Sequence, residues 1–121
     1  MTDQELFNIV ATHLLTQNAR SLGGTTEDIC AYRGDNGLKC AVGVLISDKY
    51  YEEKFEGLPC SAGVVLKALE LSLGFLTADQ IDLLTRLQII HDRKLVKDWE
   101  SYLEELAYEY ELDMPEVPVH V

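Results

Sequence analysis

Two capping boxes, with apolar stripes behind them, constrain the fold of this chain more than any other feature. Thr2 is followed at the third position by Glu5, and Thr77 is followed at the same distance by Gln80. At this spacing the threonine hydroxyl accepts a hydrogen bond from the first helical turn, and the longer side chain accepts one from the cap. Apolar residues then recur every three or four positions, which predicts two amphipathic helices, the first ending near Arg20.

Two further helices are expected in the rest of the chain. One lies between Ser61, a candidate cap, and Gly74, a candidate stop. Its buried side is expected to contain Val64, Val65, Leu66, Leu69 and Leu73. The last helix is predicted over about residues 94–112, with one apolar face formed by Leu95, Trp99, Tyr102, Leu103, Leu106 and Tyr110. Two prolines beyond it predict an extended tail over 115–121.

The segment around residues 30–40 does not fit the helical pattern. Asn36 and Gly37 supply the positive φ angles of a tight turn, so a small β-hairpin or a turn is predicted there. The next segment, 41–46, is apolar throughout and too short to assign by period, and we favour a short helix over a strand. The sequence therefore predicts a mainly α fold, with four to five helices and this small insertion in one compact domain over residues 1–114.

Acidic residues outnumber basic ones by 21 to 10, which gives a formal net charge of −11 at pH 7. This balance argues against a protein that binds nucleic acid directly, because reading phosphates needs clustered lysine and arginine. The excess is local, since residues 98–121 contain eight acids and neither lysine nor arginine. Two interpretations stay open for this segment: a solvated helix face, and a docking surface for a basic protein partner.

The docking interpretation names a set of contact residues on the last helix. Glu100 and Glu104 lie four positions apart, as do Glu105 and Glu109. Four helical residues rise about 6 Å, close to the separation of neighbouring phosphates along a strand, so such a row fits a nucleic-acid mimic. The predicted partner-binding residues are Glu100, Glu104, Glu105, Glu109, Glu111, Tyr102 and Tyr108.

The cysteines raise the question of a metal site. Cys30, Cys40, Cys60 and His91 are zinc ligands in type. Their spacing is poor, because the chain contains no Cys-x-x-Cys pair. We therefore expect buried thiols, and no metal or other cofactor.

A cysteine-dependent enzyme is the catalytic alternative. Cys40 lies at the start of the 41–46 segment, where a helix N-terminus would lower the pKa of its thiol, and His91 is the candidate base. Asp92 follows His91 directly and is expected to point elsewhere, so an orienting third residue is missing. His91 also falls on an apolar stripe, which favours a structural role. An enzyme is therefore not expected.

The start of the chain carries two early acids and no basic stretch, so no signal peptide is expected. No apolar run approaches the roughly 20 residues needed to cross a bilayer. These features predict a cytoplasmic protein without membrane association, whose cysteines stay reduced.

Two stretches carry a further clue. The first contains Cys30, Tyr32-Arg33-Gly34, Gly37 and the run from Lys39 to Gly43, and the second runs from Leu87 to Asp92 and is followed by Trp99. Together they resemble a group of small phage and prophage proteins of unknown function. The resemblance implies a mobile-element setting, and it implies no catalytic residue and no cofactor. The glycines of the first stretch predict a tight turn and close backbone approaches.

These observations favour a non-enzymatic acidic binding module. In a phage setting, the expected partner is a host nuclease or another defence protein, whose basic surface the acidic helix would occlude in the host cytoplasm. Two alternatives stay open. One is a self-associating accessory or structural phage protein, such as a homodimer, and the other is the cysteine-dependent enzyme using Cys40 and His91.

Overall fold

Helices carry the architecture of the computed structural model, which describes residues 1–23 and 31–117. The described part contains four α-helices: α1 (Asp3–Gln17), α2 (Gly63–Leu73), α3 (Ala78–Arg93) and α4 (Trp99–Glu109). It also contains four 3-10 turns, at Asp35–Gly37, Gly43–Leu45, Glu53–Phe55 and Val96–Asp98. The predicted mainly α, single-domain fold is confirmed, and the boundary after residue 114 stays a prediction.

The two predicted capping boxes open α1 and α3. Thr2 Oγ1 accepts a hydrogen bond from the Glu5 N–H at 3.1 Å, and Glu5 Oε1 accepts one from the Thr2 N–H at the same distance. Thr77 and Gln80 make the same pair of bonds. Each box satisfies two N–H groups at a helix start, which fixes where the helix begins.

Other helix ends differ from the prediction. α1 stops before its predicted end, because Asn18 takes a left-handed conformation with a φ of 50°. α2 has Ala62 as its cap residue and not Ser61, and no side chain caps it. Its end at Gly74, with a φ of 95°, is as predicted. Val64, expected to be buried, is 44% exposed because it lies on the outer side of α2.

The last helix is shorter than the predicted span 94–112. Lys94 leaves α3 in an extended conformation, and a 3-10 turn redirects the chain before α4 starts. The Lys94 carbonyl accepts hydrogen bonds from the Trp99 indole and the Arg20 guanidinium, which hold this corner. Leu95, predicted on the buried face, is 58% exposed because it belongs to the corner and not to the helix.

The predicted β-hairpin or turn is present as a turn. Asn36 and Gly37 both have positive φ, at 59° and 76°, and the Leu38 N–H donates to the Asp35 carbonyl at 3.2 Å. The Gly34 N–H donates to the Leu38 carbonyl at 2.8 Å across the turn, and Ala31 and Asp35 donate to carbonyls of the chain just after α1, so the two arms form no extended ladder. Within the described residues, no strand extends beyond a single bridge at Leu22.

The core lies between α1, α3 and α4, which pack on one another around the buried Trp99 and Phe7. The apolar 41–46 segment contains the 3-10 turn Gly43–Leu45, in agreement with the favoured short helix. This turn packs against both α1 and α2 and attaches α2 to the core. None of the helices that the structure describes combines the length and the apolar character needed to span a membrane.

Close backbone approaches occur at Gly34 and Gly43, as the sequence predicts. A Cβ on Gly43 would overlap the Tyr32 carbonyl, and a Cβ on Gly34 would overlap the Ser21 hydroxyl. Both glycines therefore let the segment around the turn lie directly against neighbouring backbone.

Gly43→Ala should lower the free energy of unfolding by about 2 kcal/mol, because the added methyl group overpacks a closed contact. The matched control is Gly63→Ala, since a Cβ at Gly63 meets no atom within 4 Å and alanine favours the first turn of α2. Urea denaturation followed by circular dichroism measures both variants. Equal stability of the two would contradict the close approach at Gly43.

His13 ties α1 to the segment that precedes the Gly43–Leu45 turn. Its Nε2 donates to the Lys39 carbonyl at 2.8 Å. Gln17 donates to the same carbonyl at 2.9 Å and accepts a hydrogen bond from the Lys39 N–H at 3.0 Å. Burial lowers the pKa of His13, because the charged imidazolium loses solvation there.

The free energy of unfolding should therefore fall as the pH drops below about 6.5, because unfolded His13 takes up a proton more readily than folded His13. Thermal unfolding at pH values of about 7.5 and 5.5 measures the loss. His13→Gln keeps a side-chain N–H donor but cannot titrate, so it should remove part of the pH dependence. If His13→Gln loses as much stability as the wild type between these two pH values, His13 is not a source of the pH dependence.

Candidate functional site

The outward side of α4 is an acidic surface. Successive residues of a helix are about 100° apart, so Glu104, Glu105 and Tyr108 project away from the buried Trp99 and Leu103. Packing of α4 on α1 and α3 determines which side faces solvent. The exposed residues on this side, named here the α4 acidic face, are Glu100, Ser101, Glu104, Glu105 and Tyr108.

The carboxylates of this face are not neutralised by the protein's own bases. Within residues 1–23 and 31–117, no lysine, arginine or histidine nitrogen lies within 4.0 Å of the carboxylates of Glu100, Glu104 or Glu105. Glu100 and Glu104, four positions apart, repel each other at a cost of a few tenths of a kcal/mol. Burial of Trp99, at about 1.5–3 kcal/mol, outweighs this repulsion. Glu100 lies in the first turn of α4, where the helix dipole favours an acid, whereas Glu104 and Glu105 gain no such stabilisation.

Glu109, predicted to bind a partner, is held by the protein itself. Its carboxylate forms a hydrogen-bonded ion pair with Arg86 of α3. This bond lowers the pKa of Glu109 and raises that of Arg86. Arg86 also lies 5.6 Å from the centre of the Tyr110 ring, whose hydroxyl donates to Asp82 at 2.8 Å. Glu109 therefore links α3 to α4, and its assignment as a partner-binding residue stays a prediction.

Glu111 lies beyond the end of α4, so the helical spacing that we assumed for it is wrong. The Leu112 N–H donates to the Ala107 carbonyl at 2.8 Å, and the Glu111 N–H donates to the Tyr108 carbonyl at 3.2 Å. These two bonds form a Schellman motif, which ends the helix. Glu111 occupies its left-handed position, with a φ of 56°, where glycine is usual.

The two predicted contact tyrosines differ in environment. Tyr102 is half-buried, and Lys94 Nζ lies 4.6 Å from the centre of its ring. Tyr108 is 88% exposed, and its hydroxyl has no hydrogen-bond partner in the part of the chain that the structure describes. Lys94 and Arg86 are the residues that sequence reasoning missed, because no local pattern shows which residues of α3 lie beside α4.

Cys40 and Cys60 are buried thiols, as expected, and both line a cleft of about 450 Å³. Burial raises the pKa of Cys40 to about 12 and also raises the pKa of Cys60. Cys40 is therefore a protonated thiol at neutral pH, which disfavours a nucleophile. Cys30 lies outside the described residues, among which no group of three metal-ligating side chains occurs.

Both ring nitrogens of His91 are engaged in the core. Nε2 accepts a hydrogen bond from the Ser21 N–H at 2.9 Å, so Nδ1 carries the proton and donates to the Asp92 carboxylate at 2.8 Å. The expectation that Asp92 points elsewhere is wrong, because its side chain folds back onto the neighbouring ring. No nitrogen of His91 is free to take a proton from Cys40, and the structural role is the better interpretation.

The chain matches no protein-family model, no curated protein and no solved structure. The resemblance to phage proteins therefore stays a prediction. The leading features of the site are the exposed Tyr108 and the carboxylates that have no ion-pair partner among residues 1–23 and 31–117.

Iodoacetamide should modify Cys40 and Cys60 of the native protein at least about tenfold more slowly than those of the urea-unfolded chain at a pH of about 8. The reason is that burial keeps both thiols protonated and inaccessible. Peptide mass spectrometry quantifies each cysteine separately, and the unfolded chain supplies the intrinsic rate. Rapid labelling of native Cys40 would instead support an activated nucleophile.

Proposed function

We propose that this protein is a non-enzymatic acidic binding module that docks through the α4 acidic face on a basic surface of a protein partner. In the mobile-element setting that the phage resemblance implies, it is an inhibitor in the host cytoplasm. Its target is a nuclease or another defence protein, and it occludes the surface that binds nucleic acid.

One observation carries this proposal: the carboxylates of Glu104 and Glu105 have no ion-pair partner among the described residues and lie on the same side of α4 as the exposed ring of Tyr108. The nearby bases have other partners, since Arg86 forms an ion pair with Glu109 and Lys94 lies against the ring of Tyr102. A helix face that only has to be hydrated does not require an exposed aromatic ring among its acids. Tyrosine is enriched at the centres of protein interfaces because it combines a large apolar area with a polar end.

Electrostatics explains how such a face would act. A net charge of −11, concentrated toward the last fifth of the chain, attracts a basic surface over long range and speeds the encounter. The two carboxylates then replace phosphates as partners of the target's lysines and arginines, with Glu100 one helical turn away from Glu104. Contact of Tyr108 with the partner excludes water and slows dissociation.

The cysteine-dependent alternative is less favoured, because the raised pKa of Cys40 and the occupied nitrogens of His91 leave neither a thiolate nor a base. A solvated face without a partner is the other competing interpretation. The solvated-face interpretation predicts that substitution of these carboxylates changes the binding of no protein. One binding experiment therefore distinguishes it from docking.

Glu104→Gln/Glu105→Gln should weaken partner binding by about tenfold or more, since it removes two charges that pair with the target. The partner is first captured from a bacterial host lysate on the immobilised wild-type protein at low salt and eluted by rising salt. Biolayer interferometry with the purified partner then measures the dissociation constant, which should rise with salt concentration for the wild type.

The matched control is Asp35→Asn/Glu53→Gln, which makes the same change in net charge at exposed positions outside α4. It should change the dissociation constant by less than about twofold, because only rim or long-range effects remain. Circular dichroism checks that all variants keep their helix content. Equal binding of the α4 variant and the control would contradict the proposed docking face, as would the absence of any captured protein released by salt.

A further inference from the structure

The outward side of α2 carries an apolar stripe that the described part of the chain leaves uncovered. Val64 is 44% exposed and Leu71 is 52% exposed, and Phe75, just after the helix, is 80% exposed. Large apolar side chains that gather on one side of one element mark an interaction surface more often than isolated ones do.

Val64 and Leu71 form the two ends of the stripe along the helix. Val64 and Leu71 are seven positions apart, which is almost two full turns, so they point in nearly the same direction. Lys67 lies between them, and its methylene stem extends the apolar surface while its ammonium group stays in water. The opposite side of α2 packs inward through Val65 and Leu69, so the stripe and the core side are distinct.

The net charge of α2 differs from that of the rest of the protein. It contains one base and one acid, Lys67 and Glu70, and is therefore neutral, whereas α4 contains four acids and no base. Lys67 has no ion-pair partner among the described residues. In a chain with a net charge of −11, two copies repel each other through most of the surface, and α2 is the helix through which they can approach without like-charge contact.

We infer that the α2 stripe is a self-association surface, on which the α2 of a second copy lies antiparallel across a twofold axis. Lys67 and Glu70 lie on the same side of the stripe. A twofold axis that relates two antiparallel helices brings this side of one helix next to the same side of the other. Each Lys67 therefore faces Glu70 of the other copy, giving two complementary charge pairs around an apolar centre. Glu70 Oε2 accepts a hydrogen bond from the Leu76 N–H at 3.4 Å, which leaves Oε1 for Lys67 of the second copy.

Other occupants fit this stripe less well. A cell membrane surface carries negative charge and repels a protein of this net charge, and a strongly basic protein is attracted to α4 instead. α2 attaches to the core through the Gly43–Leu45 turn, while α4 packs on α1 and α3. A dimer through α2 therefore leaves both α4 acidic faces open. This inference does not depend on the proposed function, because no partner enters its test.

Analytical ultracentrifugation of the wild-type protein from about 1 μM to about 1 mM should show a mass-average molecular weight that rises from monomer to dimer. Leu71→Ser should raise the dimer dissociation constant by about tenfold or more, because it removes the centre of the stripe. Ile89→Ser is the matched control, since Ile89 is 42% exposed on α3 and should leave the dissociation constant within about twofold.

A charge-exchange experiment then tests the twofold arrangement. Lys67→Glu and Glu70→Lys should each weaken their own dimer, because like charges then face each other. An equimolar mixture of the two variants should associate, since each contact in the mixed dimer again joins opposite charges. Thermal unfolding by circular dichroism checks that both variants are folded, so that loss of association does not reflect loss of structure.

Three results would overturn self-association through α2. The first is a wild-type protein that stays monomeric throughout the concentration range. The second is an equal effect of Leu71→Ser and Ile89→Ser on the dissociation constant. The third is a monomer that cosediments with anionic phospholipid vesicles only while Leu71 is present, which would assign the stripe to a lipid surface. Failure of the mixed dimer to form would reject the antiparallel twofold pairing.

Discussion

The contacts of the buried His91 imidazole are the interactions on which most of the structure depends. The imidazole accepts a hydrogen bond from the Ser21 N–H and donates one to the Asp92 carboxylate. Its ring centre lies 5.6 Å from that of Trp99. The segment after α1, the end of α3 and the start of α4 therefore meet at one fully buried side chain. Loss of the Ser21 N–H or of the Asp92 carboxylate would leave a buried ring nitrogen of His91 unsatisfied, which costs about 1–3 kcal/mol. This junction fixes the start of α4, and packing of the helix on α1 and α3 orients its acidic face.

The acids of α4 divide into two groups that serve different purposes. Glu109 is used within the fold, where its bond with Arg86 joins α4 to α3. Glu104 and Glu105 gain no such partner within the described residues, and they add repulsion that the buried side of the helix has to outweigh. A fold selected only for stability would place opposite charges at these positions. The cost is physically reasonable if the carboxylates have a partner outside the molecule.

The charge distribution also relates the two proposals to each other. The acidic face of α4 and the neutral stripe of α2 lie on helices that attach to different parts of the core. A dimer through α2 would carry two acidic faces, and simultaneous binding of both to a target with two basic sites would strengthen binding through effective concentration, without any new contact. The long-range repulsion between copies would at the same time keep the dimer weak and responsive to salt.

The sequence by itself determined the features that depend on neighbours along the chain. These are the capping boxes of α1 and α3, the tight turn at Asn36 and Gly37, the stop at Gly74 and the concentration of acids in the last helix, because each follows from spacing within one segment. Only the tertiary structure decided that Arg86 neutralises Glu109, that Asp92 turns back to His91, and that Leu71 and Leu95 remain exposed. A helical period shows which residues share a side, but not which other element covers that side, and that depends on how distant segments pack.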